Sequence, residues 1–227
     1  MNIKEKNKMR IILASKSPRR RELLSDVFSS FEIIVEETDE SLENGVHPRE
    51  GVEILAIQKG KAVLNSEKLH FVGEIVQNYM KNEKKVGDLL LKEAEKEGKS
   101  GEYMIISSDT LVEIDGIPLG KPYTKENAIK MLKLLSGKSH NVHTGVAIHY
   151  KNRVFSGVAT SEVIFKNLTE GQILDYVNSG EPMDKAGAYA IQGLGGELVS
   201  RYVGDFDTIV GLSTRLTLDL IREALKI

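Results

Sequence analysis

Residues 11–24, Ile-Ile-Leu-Ala-Ser-Lys-Ser-Pro-Arg-Arg-Arg-Glu-Leu-Leu, constrain the fold more than any other stretch of the chain. The apolar run at 11–14 reads as a buried strand that stops at Ser15-Lys16-Ser17-Pro18. Ser17 suits a helix N-cap and Pro18 the first helical position, so a helix is expected to begin here, with Leu23, Leu24, Val27 and Phe28 on its apolar face. Its first turn carries Arg19, Arg20 and Arg21, where the macrodipole and the unpaired amides favour anions over cations. Three guanidinium groups there make sense if a polyanion such as a phosphate chain binds between them. A solvated, arginine-rich surface helix accounts for the same residues, so the remainder of the chain must decide.

A length of 227 residues suits one large domain or a domain with an insertion. The 31 basic and 33 acidic residues nearly cancel, which gives no sign of binding to a nucleic acid polymer but leaves room for a local cationic cleft. The absence of cysteine excludes disulfides, thiolate metal sites and a cysteine nucleophile. No apolar run reaches the length of a membrane span, and the charged start lacks the apolar core of a signal peptide. A cytoplasmic protein is expected, with no membrane partner.

Strands are expected at 31–35, 104–107, 111–114, 142–150 and 154–165, and helices at about 48–63, 126–135, 169–177 and 214–225. Asn44-Gly45 and Asp115-Gly116 read as turns. Residues 65–102 differ in character and read as two charged amphipathic helices forming a solvated hairpin. Val72, Ile75, Val76 and Tyr79 lie on one of them and Val86, Leu89, Leu90 and Ala94 on the other. Gly87 and the cluster at 98–101 read as breaks. No internal repeat or low-complexity tract occurs. The alternation of elements implies an α/β or α+β chain with a mixed sheet.

Four places carry candidate chemistry. Asp109 follows an apolar strand, where a carboxylate can bind a cation or accept a proton from water; capping a turn is the competing role. Lys121 lies between Gly120 and Pro122, a rigid setting for an ammonium group that also fits a surface turn. Lys59 and Lys61 share a helix with inward-facing Leu55, Ala56 and Val63, so one of them can snorkel into a cleft or simply be solvated. The segment 181–193 mixes Asp184, Lys185 and Gln192 with small residues that let a ligand approach the backbone, and Gln192 offers both a donor and an acceptor. The five histidines show no metal-site spacing, and no serine has the flanks of a nucleophile elbow.

Taken together, Ser15-Lys-Ser-Pro-Arg-Arg-Arg-Glu-Leu-Leu24, Ser108-Asp-Thr110, Leu119-Gly-Lys-Pro122, Leu135-Ser-Gly-Lys-Ser-His140, Glu181-Pro-Met-Asp-Lys-Ala-Gly-Ala-Tyr-Ala-Ile-Gln-Gly193 and Val210-Gly-Leu212 resemble the Maf-type nucleotide pyrophosphatases, in the family's order and from Met9 onward. The resemblance implies one domain over 1–227. Its expected fold is an elongated, two-lobed α/β Maf/ITPase-like structure with a curved mixed sheet and a deep cleft, here with a helical insertion at about 65–102. It implies metal-dependent hydrolysis of a nucleoside triphosphate to a monophosphate and pyrophosphate, with Mg²⁺ or Mn²⁺ as the cation. In the family's pattern Asp109 is the proton acceptor, and Ser15, Arg20, Lys59, Lys121 and Lys185 bind phosphate. Glu40 matches a cleft glutamate that partners the metal or the water, and the metal is assigned to Glu40 and Asp109.

Arg19, Thr110 and Gln192 match the three positions that mark the branch acting on dTTP and UTP. A pyrophosphatase for 7-methyl-GTP or another modified nucleotide is the neighbouring alternative, and a non-enzymatic nucleotide-binding regulator of cell division the alternative of another class. Two departures stand out. Ser107 and Ser108 replace a small Gly-Ala pair, which requires a loosely packed strand. The insertion is about thirty residues longer than the family's connection, and lengthening a lobe, covering the cleft and mediating association, with a homodimer possible, all remain open.

Overall fold

The computed structural model describes residues 9–43, 45–71, 73–77, 85–98 and 101–226. Strand β1 (Arg10–Leu13) buries Ile11, Ile12 and Leu13 completely or nearly so. A run apolar on both faces is the signature of a central strand covered on both sides, and β1 pairs in parallel with β2 (Ser30–Ile33) and with β4 (Tyr103–Ile114). The connection is helix α1 (Pro18–Val27), started as expected by the Ser17 side chain, which accepts from the Arg20 amide, with Pro18 in the first turn. Its Leu24, Val27 and Phe28 pack with Met9, Ile11 and Leu13 and with Leu220, Ile221 and Leu225 of the C-terminal helix α7 (Thr214–Leu225).

Among the described residues eight strands form one mixed sheet in the order β3 (Glu74–Gln77), β2, β1, β4, β6 (Ser139–Tyr150), β7 (Arg153–Phe165), β8 (Val199–Val203), with β5 (Ile117–Leu119) attached to the far half of β4. Two hairpins extend it. The turn Asp115-Gly116, with φ of +53° and +79°, returns β4 into β5 (Ile117–Leu119), and Lys151-Asn152, at +47° and +59°, joins β6 (Ser139–Tyr150) to β7 (Arg153–Phe165). Two consecutive left-handed residues match the twist of the flanking strands in two-residue hairpins. The second turn lacks the glycine that makes the first legible.

Helix α2 (Pro48–Leu64) crosses one face of this sheet at very short range. Val52, Ala56, Gly60 and Val63 form its buried stripe, and its small residues bring backbone against backbone. A Cβ on Gly145 of β6 would stand 2.2 Å from the Val52 carbonyl oxygen, and one on Gly60 would stand 2.3 Å from the His149 ring. The Ser107 hydroxyl donates to the Ala56 carbonyl at 2.7 Å, and His149 Nε2 lies 3.1 Å from the Ile57 carbonyl. Burial keeps the His149 imidazole below its ordinary pKa, which suits a neutral ring donating one N–H. On the other face, helices α4 (Lys125–Leu135) and α5 (Glu170–Asn178) build a second apolar cluster, over Val112, Val142 and Phe165 at the far ends of the strands. The capping box of α5, Thr169 with Gln172, is complete.

Four expectations change. Residues 74–77 form an edge strand, β3 (Glu74–Gln77), antiparallel to β2, and among the described residues of the insertion only α3 (Val86–Lys96) is an α-helix; positions 72 and 79 lie outside the described residues. Two adjacent apolar residues, Ile75 and Val76, between Glu74 and Gln77 fit both periods, and pairing with β2 decides between them. Helix α3 is not merely solvated: Leu91 and Ala94 join the core beside α1. Gly87 lies inside α3 rather than breaking it, because a Cβ there would stand 2.5 Å from the Phe28 ring. Asp109 stands within one continuous strand rather than at a strand's end. The glycine-rich stretch between α5 and α7 resolves into three short 3₁₀ turns, the edge strand β8 (Val199–Val203) and the short helix α6 (Phe206–Val210).

The contact between α2 and β6 makes Gly145 intolerant of any side chain. Gly145→Ala is expected to lower stability by about 1–3 kcal/mol or more, read as a lower urea midpoint at unchanged slope. An unchanged midpoint would show that α2 does not press on the sheet.

Candidate active site

Strand β4 has two partners on one edge: β1 along residues 103–106 and β5 along 112–114. Between them, at 107–111, no strand pairs with that edge among the described residues. A cavity of about 710 Å³ opens there, and Asp109 and Thr110, which point to opposite faces of a strand, both reach it because it wraps around the open edge. Six cationic side chains line it (Lys16, Arg19, Arg20, Lys59, Lys121 and Lys185) against three carboxylates (Glu40, Asp109 and Asp184). In a chain of net charge −2 this is a local concentration of positive charge, suited to a polyanion.

Helix α2 delivers Lys59. Its ammonium is hydrogen-bonded to Asp109 Oδ1 and forms an ion pair with Glu40 Oε1 at 2.8 Å. Lys59 therefore snorkels from the buried stripe into the cavity, whereas Lys61 is exposed and does not line it. Burial works against the Glu40 carboxylate, but the Lys59 hydrogen bond and charge, with Lys121 and Arg20 beyond, hold its pKa below the ordinary 4.5.

Helix α1 delivers Arg20, which is pinned. Its Nε donates to the Gly211 carbonyl at 2.8 Å and its Nη2 to Thr110 Oγ1 at 3.3 Å. The Ser108 hydroxyl donates to the same carbonyl at 2.9 Å. Thr144 Oγ1 donates its one proton to the Thr208 carbonyl at 2.7 Å, so across the 2.9 Å contact between the two threonines Thr110 is the donor. That leaves the Thr110 lone pairs free to accept from Arg20. Burial disfavours the charged guanidinium, with Asp109 and Glu40 opposing and Arg19 adding to that effect. An arginine stays protonated throughout. The result is a cation oriented before any ligand arrives.

Of the residues singled out in the sequence, Arg19, Arg20, Glu40, Lys59, Asp109, Thr110, Lys121, Lys185 and Gln192 line this one cavity. Ser15 does not. It is buried, and its hydroxyl accepts from the Ser17 amide at 3.2 Å, shaping the turn from behind. Arg21 is also elsewhere: its guanidinium meets Glu74 of β3 at 3.0 Å, so two of the three arginines, not three, face the cavity. Ser107 and Ser108 are fully buried in a tightly packed strand, and their hydroxyls are accommodated by carbonyl acceptors on α2 and at Gly211 rather than by loose packing.

The Gly211 carbonyl and Thr144 belong to the site without having been singled out in the sequence. Gly211 has φ of +133°, which only glycine adopts readily, so its place in Val210-Gly-Leu212 was the available signal. Glu181, likewise without a role in the sequence, organises the loop beside Gln192. That carboxylate accepts from the Tyr176 hydroxyl at 2.9 Å and from the Leu194 and Gly195 amides at 3.0 Å each. Among the described residues no group of three or more His, Cys, Asp and Glu side chains is placed to hold a metal. The carboxylates of Glu40 and Asp109 converge on one ammonium, that of Lys59. No described helix is long and apolar enough to cross a membrane.

A family model described as Maf-like protein matches residues 10–224. A protein of Bacillus velezensis named dTTP/UTP pyrophosphatase is 39% identical over 214 residues, 94% of this chain and 96% of that protein. Proteins of the same name from Neisseria meningitidis and Bacillus cereus are 36% and 37% identical; these alignments cover 94% and 89% of this chain and 93% and 89% of the respective proteins.

The Lys59 bridge has a pH signature. Because the Glu40 pKa is depressed in the folded chain, its stabilising contribution is complete above about 4.5 and is lost as pH falls through the lower folded value. Lys59→Met is expected to flatten the fall of Tm below about pH 5. It also leaves two carboxylates facing each other at neutral pH, lowering Tm there. Parallel Tm–pH curves for the two proteins would remove the bridge from the account.

Proposed function

This chain belongs to the Maf-like protein family, and from that premise we propose that it is a nucleoside triphosphate pyrophosphatase that acts on dTTP and UTP. The observation that carries the reading is the meeting of Asp109 with Arg20, Lys59 and Lys121 in a single cavity at the open edge of β4. A carboxylate among fixed cations is what hydrolysis of a phosphoanhydride requires. Catalysis of phosphoryl transfer is mostly positioning and charge stabilisation, with one group to manage the proton of water.

In this reading the triphosphate lies against the first turn of α1, with Arg20 and Lys121 on its oxygens and Lys185 closing from the loop after α5. Asp109 accepts the proton of a water whose oxygen attacks the α-phosphorus. The bond from that phosphorus to the bridging oxygen breaks, the electron pair leaves with pyrophosphate, and the monophosphate remains. Lys59 is already shared between Asp109 and Glu40, so it orients the base and offers its charge to the approaching phosphates.

Glu40 and Asp109 also fit a divalent cation. Mg²⁺ is commonly held by one or two carboxylates together with substrate phosphate oxygens, and these two carboxylates already gather around one positive charge. Such a cation, Mg²⁺ or Mn²⁺, supplies neutralisation of phosphate charge when bound. Arg19, Thr110 and Gln192 are the residues assigned to base preference. Thr110 acts in part through Arg20, whose guanidinium its hydroxyl holds. The cytoplasm, where nucleotide pools are kept, is the compartment that fits this activity.

Two measurements test the reading. Asp109→Asn is expected to retain the fold, seen as an unchanged circular dichroism spectrum, and to lose about 10²–10⁴ in turnover measured by pyrophosphate release. Near-wild-type turnover would remove Asp109 as the base. In a nucleotide panel run with and without added Mg²⁺ or Mn²⁺, dTTP and UTP are expected to outrun CTP, the purine triphosphates and 7-methyl-GTP. A preference for 7-methyl-GTP would overturn the substrate assignment.

A further inference from the structure

Tyr123 is the most exposed large apolar residue among those described, at 78%, and it lines the rim of the cavity two residues beyond Lys121. Its backbone is strained. The Thr124 amide donates to the Pro122 carbonyl at 2.7 Å across it, and its φ is +59°. A three-residue turn with a left-handed centre is rare, and a bulky residue at that centre is an outlier. The flanking chain holds it there: the Gly187 amide donates to the Gly120 carbonyl at 3.1 Å, and Asn127 Nδ2 donates to the Pro122 carbonyl at 3.2 Å. Thr124 caps α4 through the Asn127 amide at 3.2 Å.

An aromatic side chain normally returns its cost by burying a large area. Tyr123 buries little within the chain, so neither local preference nor packing accounts for a strained backbone that sets its ring at the rim. Strain of this kind is concentrated at ligand sites, where the surrounding structure sustains it. The same cavity exposes the amide of Gln192, and Lys121 contributes positive charge beside Tyr123. A flat aromatic face, an amide with both donor and acceptor, and an ammonium group are complementary to one class of ligand: a planar heterocycle joined to a chain of phosphates.

We propose that Tyr123 is a nucleobase-binding residue, its ring stacking on the face of the base while Gln192 meets the base edge. This rests on the pyrophosphatase reading above. Stacking on an aromatic side chain is sequence-tolerant, so Tyr123 supplies affinity for the nucleoside and leaves the choice among bases to other residues.

The test compares dTTP with inorganic tripolyphosphate, which carries the anionic charge without the base. Wild type, Tyr123→Phe, Tyr123→Ala and Tyr123→Gly are assayed for KM and kcat with dTTP and for inhibition by tripolyphosphate. Both small substitutions are expected to raise KM for dTTP about tenfold or more. Their kcat is expected to stay within about twofold of wild type, with the tripolyphosphate inhibition constant unchanged. Tyr123→Phe is expected to behave as wild type. Tyr123→Gly is expected to melt no lower than wild type, because glycine adopts the positive φ without strain.

An unchanged KM in Tyr123→Ala would overturn the proposal. So would an equal rise in KM and in the tripolyphosphate constant, which would assign the ring to the phosphates, or a lower Tm in Tyr123→Gly with kcat lost, which would make it structural. Failure of the wild type to hydrolyse dTTP would refute the pyrophosphatase reading instead. Calorimetric affinities of the same four proteins for dTTP and tripolyphosphate would then still decide the role of Tyr123.

Discussion

A twelve-residue strand with two shorter partners on one edge is the constraint from which the site follows. β4 is satisfied by β1 at its start and by β5 at its end, and the interval between them opens the strand edge to the cavity. Backbone groups left open in a core would be costly, so the interval must face solvent or a ligand. Both faces of the strand become accessible at this point, which is why Asp109 and Thr110, neighbours in sequence and opposite in direction, serve one pocket. The opposite edge of β4 is paired with β6 from Ile105 to Glu113, so the opening costs the sheet little rigidity.

Two helices approach this opening from opposite faces, each with its charge already committed. α2 comes close enough for backbone contact and sets Lys59 between Asp109 and Glu40. α1 carries Arg20 to the Gly211 carbonyl and the Thr110 hydroxyl. Both cations are therefore oriented by the protein before a ligand is present, which reduces the ordering a ligand would otherwise have to impose. A surplus of positive side chains in one cavity is unfavourable for the empty fold, and the carboxylates among them relieve part of that. A polyanion would relieve the rest, so charge that burdens folding favours binding.

The insertion shows why local pattern was insufficient. Ile75 and Val76 lie next to each other and satisfy a helical stripe or a strand equally well over so short a run. Their role was decided by the unpaired edge of β2, a partner more than forty residues earlier. Glu74 of the same strand takes Arg21 as its partner. One of three adjacent arginines is thereby turned away from the cavity by a segment whose strand character the sequence did not reveal.

Local chemistry determined a good deal. The strand, the Ser17 cap and the Pro18 start of α1 and the Asp115-Gly116 hairpin are all properties of a few adjacent residues, and each lies where the sequence placed it. The family resemblance marked nine residues that line one cavity, although Arg20 and Gln192 lie far apart along the chain. Tertiary structure decided what depends on distant partners. It set the continuity of β4 through Asp109, the retreat of Ser15 behind the wall, the departure of Arg21 and the use of the Gly211 carbonyl as the fixed point for Arg20. Caps and tight turns close within a few residues and leave a local signature. A side chain's direction and its hydrogen-bond partner are set by whichever element packs against it, and no neighbouring residue records that.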